Sequence, residues 1–167
     1  MFILLKLVLT YFFLVFVVAR FLIPHLNFGE DKMPESIPDS MKKKINELRS
    51  QASNKNDFLK QAYEYIGNRY RSERLNTIMK FSYLFYSVDQ IWSMSGYIPC
   101  TQSSYLMRIF LVESGYFKNS EIRKQFVFTN LILHQYLEVN IDGKWVPVDV
   151  GEKQRGLPIG KYLKRFG

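Results

Sequence analysis

At Asp142-Gly143 the chain is built to turn back on itself. A two-residue type I′ turn needs positive φ at both positions, which Asp-Gly tolerates, and runs of alternating apolar residues flank it. Residues 131–141 and 144–150 therefore predict two antiparallel strands. The turn also sets their register, with Asn140 opposite Trp145, Glu138 opposite Pro147 and Tyr136 opposite Asp149. Leu137, Val139 and Ile141 then share a face with Val146, Val148 and Val150. His134, Tyr136, Glu138, Trp145 and Asp149 take the other face. A one-residue slip would expose the row of valines, so the register is strongly held. His134 falls diagonally across from Asp149, and such neighbours lie about 7 Å apart, within side-chain reach.

A second constraint comes from Pro99, which disfavours helical geometry at Ile98 and so marks a helix start near Cys100. Leu106, Ile109, Phe110 and Tyr105 give this helix an apolar face, and Gly115 closes it as a C-terminal cap. Cys100 thus falls at the entrance of a buried helix. Unpaired N–H groups and the helix dipole favour a thiolate there.

Taken singly, each of these residues has an ordinary reading. A lone cysteine is most often a small buried hydrophobe, His134 a strand histidine and Asp149 a turn carboxylate. Taken together, they fill the three roles of thiol catalysis: nucleophile, general base and orienting carboxylate. Attack of Cys100 on an amide carbonyl would form a thioester. The Cys100 N–H would hold the oxyanion with a second donor, for which Trp92 and Gln90 are candidates. The single cysteine allows no intrachain disulfide. With two histidines it is also too few ligands for a structural zinc site, so no metal and no cofactor are expected.

The same residues resemble the transglutaminase-like family of papain-like cysteine hydrolases and acyltransferases. Cys100-Thr-Gln-Ser-Ser-Tyr-Leu-Met-Arg-Ile-Phe-Leu-Val-Glu-Ser-Gly115 looks like that family's catalytic helix. His134-Gln-Tyr-Leu-Glu138-Val is similar to its His-x-aromatic-x-Glu-Val strand, and Asp142-Gly-Lys-Trp145-Val-Pro-Val-Asp149 to its Gly-x-Trp-Val-x-x-Asp strand. The resemblance spans residues 57–150. It implies an α+β fold, a papain-like transglutaminase core with helices packed on a small antiparallel sheet. It also implies Cys100 as nucleophile, His134 as base and acid, and Asp149 as the orienting carboxylate. Three departures stand out: Ile98-Pro99 where a Gly commonly precedes the cysteine, Tyr136 where Trp is frequent, and Val150-Gly151 in place of Pro-Thr.

The domain order follows from composition. Residues 2–23 are apolar except for Lys6, Thr10 and Arg20. About 20 apolar residues span a bilayer's hydrocarbon core, and Lys6 and Arg20 are placed to snorkel to its surfaces. Residues 1–23 are expected to be an uncleaved N-terminal transmembrane helix; the rival reading is a signal peptide cut after Ala19. The side on which the rest of the chain lies stays open. Residues 24–40, with Pro24, Pro34, Pro38 and Gly29, read as a linker, and 41–167 as the transglutaminase-like domain. Within that domain Met41, Ile45 and Leu48 mark one helix face, with Asp39 or Ser40 as its cap. Phe58, Ala62 and Ile66 mark a second helix, ending near Gly67-Asn68. Residues 69–86 are aromatic-rich and favour no element.

The net charge of +8 is spread along the chain. Nucleic-acid binding would want a continuous basic face with a known motif, so the charge reads instead as a surface facing anionic lipid. The expected function is a membrane-anchored cysteine hydrolase, a peptidase or amidase acting on a peptide or protein. The alternatives are a non-catalytic tethered peptide- or protein-binding module on the same fold, or a cross-linking acyltransferase. Hydrolysis or transfer depends on whether water or an amine reaches the thioester.

Overall fold

A computed structural model describes residues 2–14, 31–71, 82, 85–129 and 132–164. The chain mixes helices with small sheets. In order come α1 (Phe2–Phe13), α2 (Asp39–Gln51), α3 (Lys55–Arg69), β1 (Tyr70–Arg71), α4 (Val88–Ser93) and β2 (Gly96–Tyr97). Then follow α5 (Cys100–Glu113), β3 (Ile122–Thr129), β4 (Ile132–Ile141) and β5 (Lys144–Val148), with 3-10 turns at Asn119–Glu121 and Val150–Arg155. β3, β4 and β5 form an antiparallel sheet in that order, and β1 pairs in parallel with β2.

The helix faces follow the spacing of apolar residues. Met41, Ile45 and Leu48 of α2 are buried, as are Phe58, Ala62 and Ile66 of α3 together with Leu59 and Tyr63. α2 starts after Pro38, and neither Asp39 nor Ser40 serves as its N-cap. α3 opens on Asn54, whose side chain accepts from the N–H groups of Asn56 and Asp57. It ends at Arg69, next to the expected stop near Gly67-Asn68. Gly67 is also a contact point, since a Cβ there would come within 2.7 Å of Lys153 in the Val150–Arg155 turn.

α5 is the centre of the fold. Every residue from Cys100 to Leu111 is buried, polar ones included, and not only the apolar face read from the sequence. α2, α3, α4, β4 and the Val150–Arg155 turn all pack against this helix. A helix enclosed on all sides must find partners for its polar side chains. Arg108 is fully buried; its Nη1 reaches Asn119 Oδ1 at 2.7 Å and its Nε lies 3.6 Å from Asp31 Oδ2. Lys124 Nζ binds the other Asp31 oxygen at 2.7 Å. Asp31 and Ile37, expected in a free linker, are therefore part of the domain: the buried cations of α5 and β3 need an anion there.

The hairpin pairs as the turn dictates, with Asn140 opposite Trp145 and Glu138 opposite Pro147. Asp142 and Gly143 take φ values of 52° and 85°. β5 ends at Val148, however, and the expected ladder pair of Tyr136 with Asp149 does not form. Asp149 instead leaves the strand at φ −103°, ψ 75° and leads into the 3-10 turn. On the outer face Glu138 accepts from Arg123 and Gln125 across β3, both at 2.8 Å, and the Arg123 guanidinium lies 4.1 Å from the centre of the Trp145 ring.

α1 presents exposed apolar side chains, among them Ile3, Leu4, Leu7 and Phe13. At 1.5 Å per residue its 12 residues rise about 18 Å, short of a hydrocarbon core of roughly 30 Å. Among the described residues no helix is long and apolar enough to cross a membrane. The remainder of the expected span, residues 15–23, lies outside the described residues, as does His25.

Candidate active site

The site forms where β4 outruns β5. Val148 pairs with Leu137, so the edge of β4 at Gln135 has no β5 partner. The first turns of α5 dock there instead. Ser104 Oγ donates to the Gln135 carbonyl at 3.4 Å, and the Gln135 N–H donates to the Cys100 sulfur. Residues one helical turn apart thus hold the two backbone groups of a single strand residue. The next residue along the strand is His134. From the opposite side Gly151 passes close over the helix entrance: a Cβ there would lie 3.3 Å from Ser103 Oγ and 3.7 Å from Cys100 Cα.

Cys100, His134 and Asp149 come together at this point. His134 Nε2 and Asp149 Oδ2 are 2.8 Å apart, and the imidazole also hydrogen-bonds the Cys100 side chain. With Nε2 engaged by the carboxylate, Nδ1 is the ring nitrogen left for sulfur. Leu163 N–H gives Asp149 Oδ2 a second donor at 3.1 Å. All three side chains are shielded, with Cys100 8%, His134 5% and Asp149 1% exposed.

The electrostatics favour an ion pair. Burial pushes the Cys100 thiol up, but the hydrogen bond and charge of His134 and the Gln135 N–H outweigh it and hold the thiol below its ordinary value. Burial works against a charged His134, yet its bonds to Asp149 and Cys100 raise it to about 10. Both shifts act in the same sense, toward thiolate beside imidazolium.

Two further expectations change. Trp92 is no oxyanion donor: its indole N–H donates to Ser40 Oγ at 2.8 Å, and its ring packs 5.7 Å from Phe110, far along α5 from Cys100. Gln90 is held in the capping box of α4, its Oε1 accepting from the Ser87 N–H. The helix entrance itself offers a donor. Gln102 and Ser103 turn their N–H groups back to the Pro99 carbonyl, whereas helix geometry leaves Cys100 N–H without an intrahelical acceptor. Sequence reasoning missed Gln135, Ser104 and Leu163, which act through main-chain groups or a main-chain contact. The polar run Thr101–Ser104 on an otherwise apolar helix was the one local signal. Among the described residues no group of His, Cys, Asp and Glu is arranged to hold a metal ion.

Compared with known proteins, the chain matches no family model, no curated protein and no solved structure.

Proposed function

We propose that this chain is a membrane-anchored cysteine hydrolase, a peptidase or amidase, built on a papain-like transglutaminase core. One observation carries the reading: His134 bonds Asp149 through Nε2 at 2.8 Å while its ring also bonds the sulfur at the entrance of α5. The exposed apolar residues of α1 support attachment to a bilayer.

In this reading the proton shared by Cys100 and His134 rests on the imidazole, and the thiolate attacks the carbonyl carbon of an amide. A C–S bond forms, the carbonyl electron pair moves to oxygen, and the Cys100 N–H donates to that oxyanion. The oxyanion collapses, the C–N bond breaks, and the imidazolium protonates the departing amine. Water, deprotonated by His134, then attacks the thioester; the C–S bond breaks, releasing the acid and restoring thiolate beside imidazolium. Asp149 remains a carboxylate throughout and holds the imidazole in register. An amine in place of water would make the same intermediate an acyl donor.

The shielding of the thiol, 8% exposed, supports a second reading as a non-catalytic peptide- or protein-binding module. Iodoacetamide labelling at neutral pH separates the two. Fast labelling of Cys100 that is lost in His134→Ala, with peptide or amide turnover lost in Cys100→Ala, is the expected result. Equal labelling rates in the parent protein and His134→Ala would overturn the catalytic reading.

A further inference from the structure

The chain does not leave the site after the Val150–Arg155 turn. Gly156 reverses its direction at φ 81°, and Gly160 N–H donates to the Pro147 carbonyl at 2.8 Å, so the segment runs back beside β5. The Tyr63 hydroxyl, on α3, donates to the Leu157 carbonyl and ties down the start of this segment. The Tyr162 ring then stacks on Tyr136, centroids 4.6 Å apart and planes within 3°. One residue later Leu163 N–H reaches Asp149 Oδ2, the same oxygen that faces His134 Nε2. Tyr136 follows His134 by two residues and so shares its face of β4. Both contacts of the segment therefore fall on the strip that carries the imidazole–carboxylate couple.

That second donor matters because Asp149 is poorly held otherwise. Its Oδ1 is buried and makes no hydrogen bond. A buried carboxylate with few donors is costly, and nothing on Oδ1 resists rotation of the group. With Leu163 N–H in place, Oδ2 is fixed from two directions. The carboxylate then stays in the plane that His134 requires.

We infer that residues 157–164 form a strap that sets the Asp149 carboxylate for His134, with Leu163, through its main-chain N–H, and Tyr162, through its stack on Tyr136, as positioning residues. The inference rests on the proposed role of Cys100, His134 and Asp149 as a catalytic triad. The strap acts through Asp149 and touches neither thiol nor substrate.

The titratable groups around the couple are Cys100 on α5, Tyr63 on α3, Tyr136 on β4, Glu152 in the 3-10 turn and Tyr162 on the strap itself. Glu152 is paired with Arg155 at 2.8 Å. Burial, then the nearby carboxylates, push the Tyr63 phenol upward; burial, then Glu138, Tyr162 and Asp149, push Tyr136 to about 12. Both phenols are neutral where His134 titrates, so the imidazole answers mainly to Asp149 and Cys100.

NMR titration of the His134 imidazole in the full chain, held in detergent micelles, tests the strap. The chain has two histidines, so a His25→Gln variant assigns the signal. Leu163→Pro deletes the N–H donor, whereas Leu163→Ala keeps it; Tyr162→Ala deletes the stack, whereas Tyr162→Phe keeps it. The parent protein is expected to titrate near 10. Leu163→Pro should lower that midpoint by about one pH unit, a tenfold loss of proton affinity. Tyr162→Ala should move it the same way, and the two conservative variants should retain it. If Leu163→Pro fails to fold, the Tyr162 pair decides. Midpoints in folded Leu163→Pro and in Tyr162→Ala that equal a high parent value would overturn the strap while leaving the triad standing. A parent midpoint near the ordinary 6.5 would instead sink the triad reading, and the strap with it, before any substitution is made.

Discussion

Ser104 and Gln135 are joined side chain to main chain: the Ser104 hydroxyl donates to the Gln135 carbonyl at 3.4 Å, one helical turn beyond the cysteine that accepts from the same residue's N–H. This bond closes an open strand edge with a helix. Ser104→Ala leaves the Gln135 carbonyl buried without that donor, which costs about 1–3 kcal/mol. A lower urea midpoint together with slower alkylation of Cys100 is the expected result. Unchanged alkylation at reduced stability would make the contact purely structural.

The couple itself is probed by Asp149→Asn. An amide at this position favours the wrong imidazole tautomer, and in serine-protease triads the equivalent change lowers kcat by about 10⁴-fold. Turnover should fall by a loss on the order of a thousandfold or more with the far-ultraviolet spectrum unchanged. Cys100→Ala should abolish turnover while leaving the fold intact. Turnover surviving in Cys100→Ala would rule out the thioester route.

The ion pair also predicts how stability varies with pH. His134 is raised from 6.5 to about 10, so its contribution is complete below 6.5 and is lost as pH rises through 10. Cys100 is lowered from 9.0, so its contribution is complete above 9.0 and is lost as pH falls through its folded value. The two slopes oppose each other wherever the folded Cys100 is already a thiolate and the unfolded one is not. The stability difference between the parent and a Cys100→Ala, His134→Ala double variant should therefore shrink as pH rises from 9.0 through 10, and shrink again as pH falls through the folded Cys100 value. Urea denaturation from pH 5.5 to 10.5 measures it. A difference that does not fall above pH 9.0 would speak against the pair.

Gly151 leaves little room for a side chain above Ser103 and Cys100. Its ideal Cβ meets Ser103 Oγ at 3.3 Å and Cys100 at 3.7 Å, so alanine asks a neighbour to give by a few tenths of an ångström. A leucine would press on the helix entrance, and overpacking of this kind costs about 1–3 kcal/mol. Gly151→Leu should slow Cys100 alkylation far more than Gly151→Ala does. Equal rates in the two variants would show that the close approach does not shape the site.

Asp31 is expected to matter for stability rather than chemistry. Removing the anion between Arg108 and Lys124 leaves buried cations without it, and breaking a buried ion pair from one side costs about 3–5 kcal/mol. Asp31→Ala should lower the urea midpoint sharply. A Lys124→Met, Asp31→Leu double variant should recover part of the loss.

What could be read in advance was what local chemistry decides. The Asp142-Gly143 turn, the alternation around it and the helix starting after Pro99 all depend on residues close in sequence. The rest depended on how far elements extend and on what packs beside them. Alternation continued through Val150, yet β5 stops at Val148 because Asp149 turns toward His134. Trp92 was a candidate donor until its indole N–H went to Ser40, and Gln90 until its side chain was taken up in the cap of α4, where its Oε1 accepts from the Ser87 N–H. Asp31 looked like linker because its partners, Arg108 and Lys124, are far away along the chain. Leu163 acts through a main-chain N–H that every residue but proline carries, so no residue type announced it.

The edge made by β5 has one more implication. Pro147 carries no N–H to offer a neighbour, and its carbonyl is already taken by Gly160. A foreign strand therefore finds no unpaired ladder to extend at that residue, which discourages sheet-to-sheet aggregation. An extended polypeptide could not add there as a further strand, and would have to approach the sulfur from another direction.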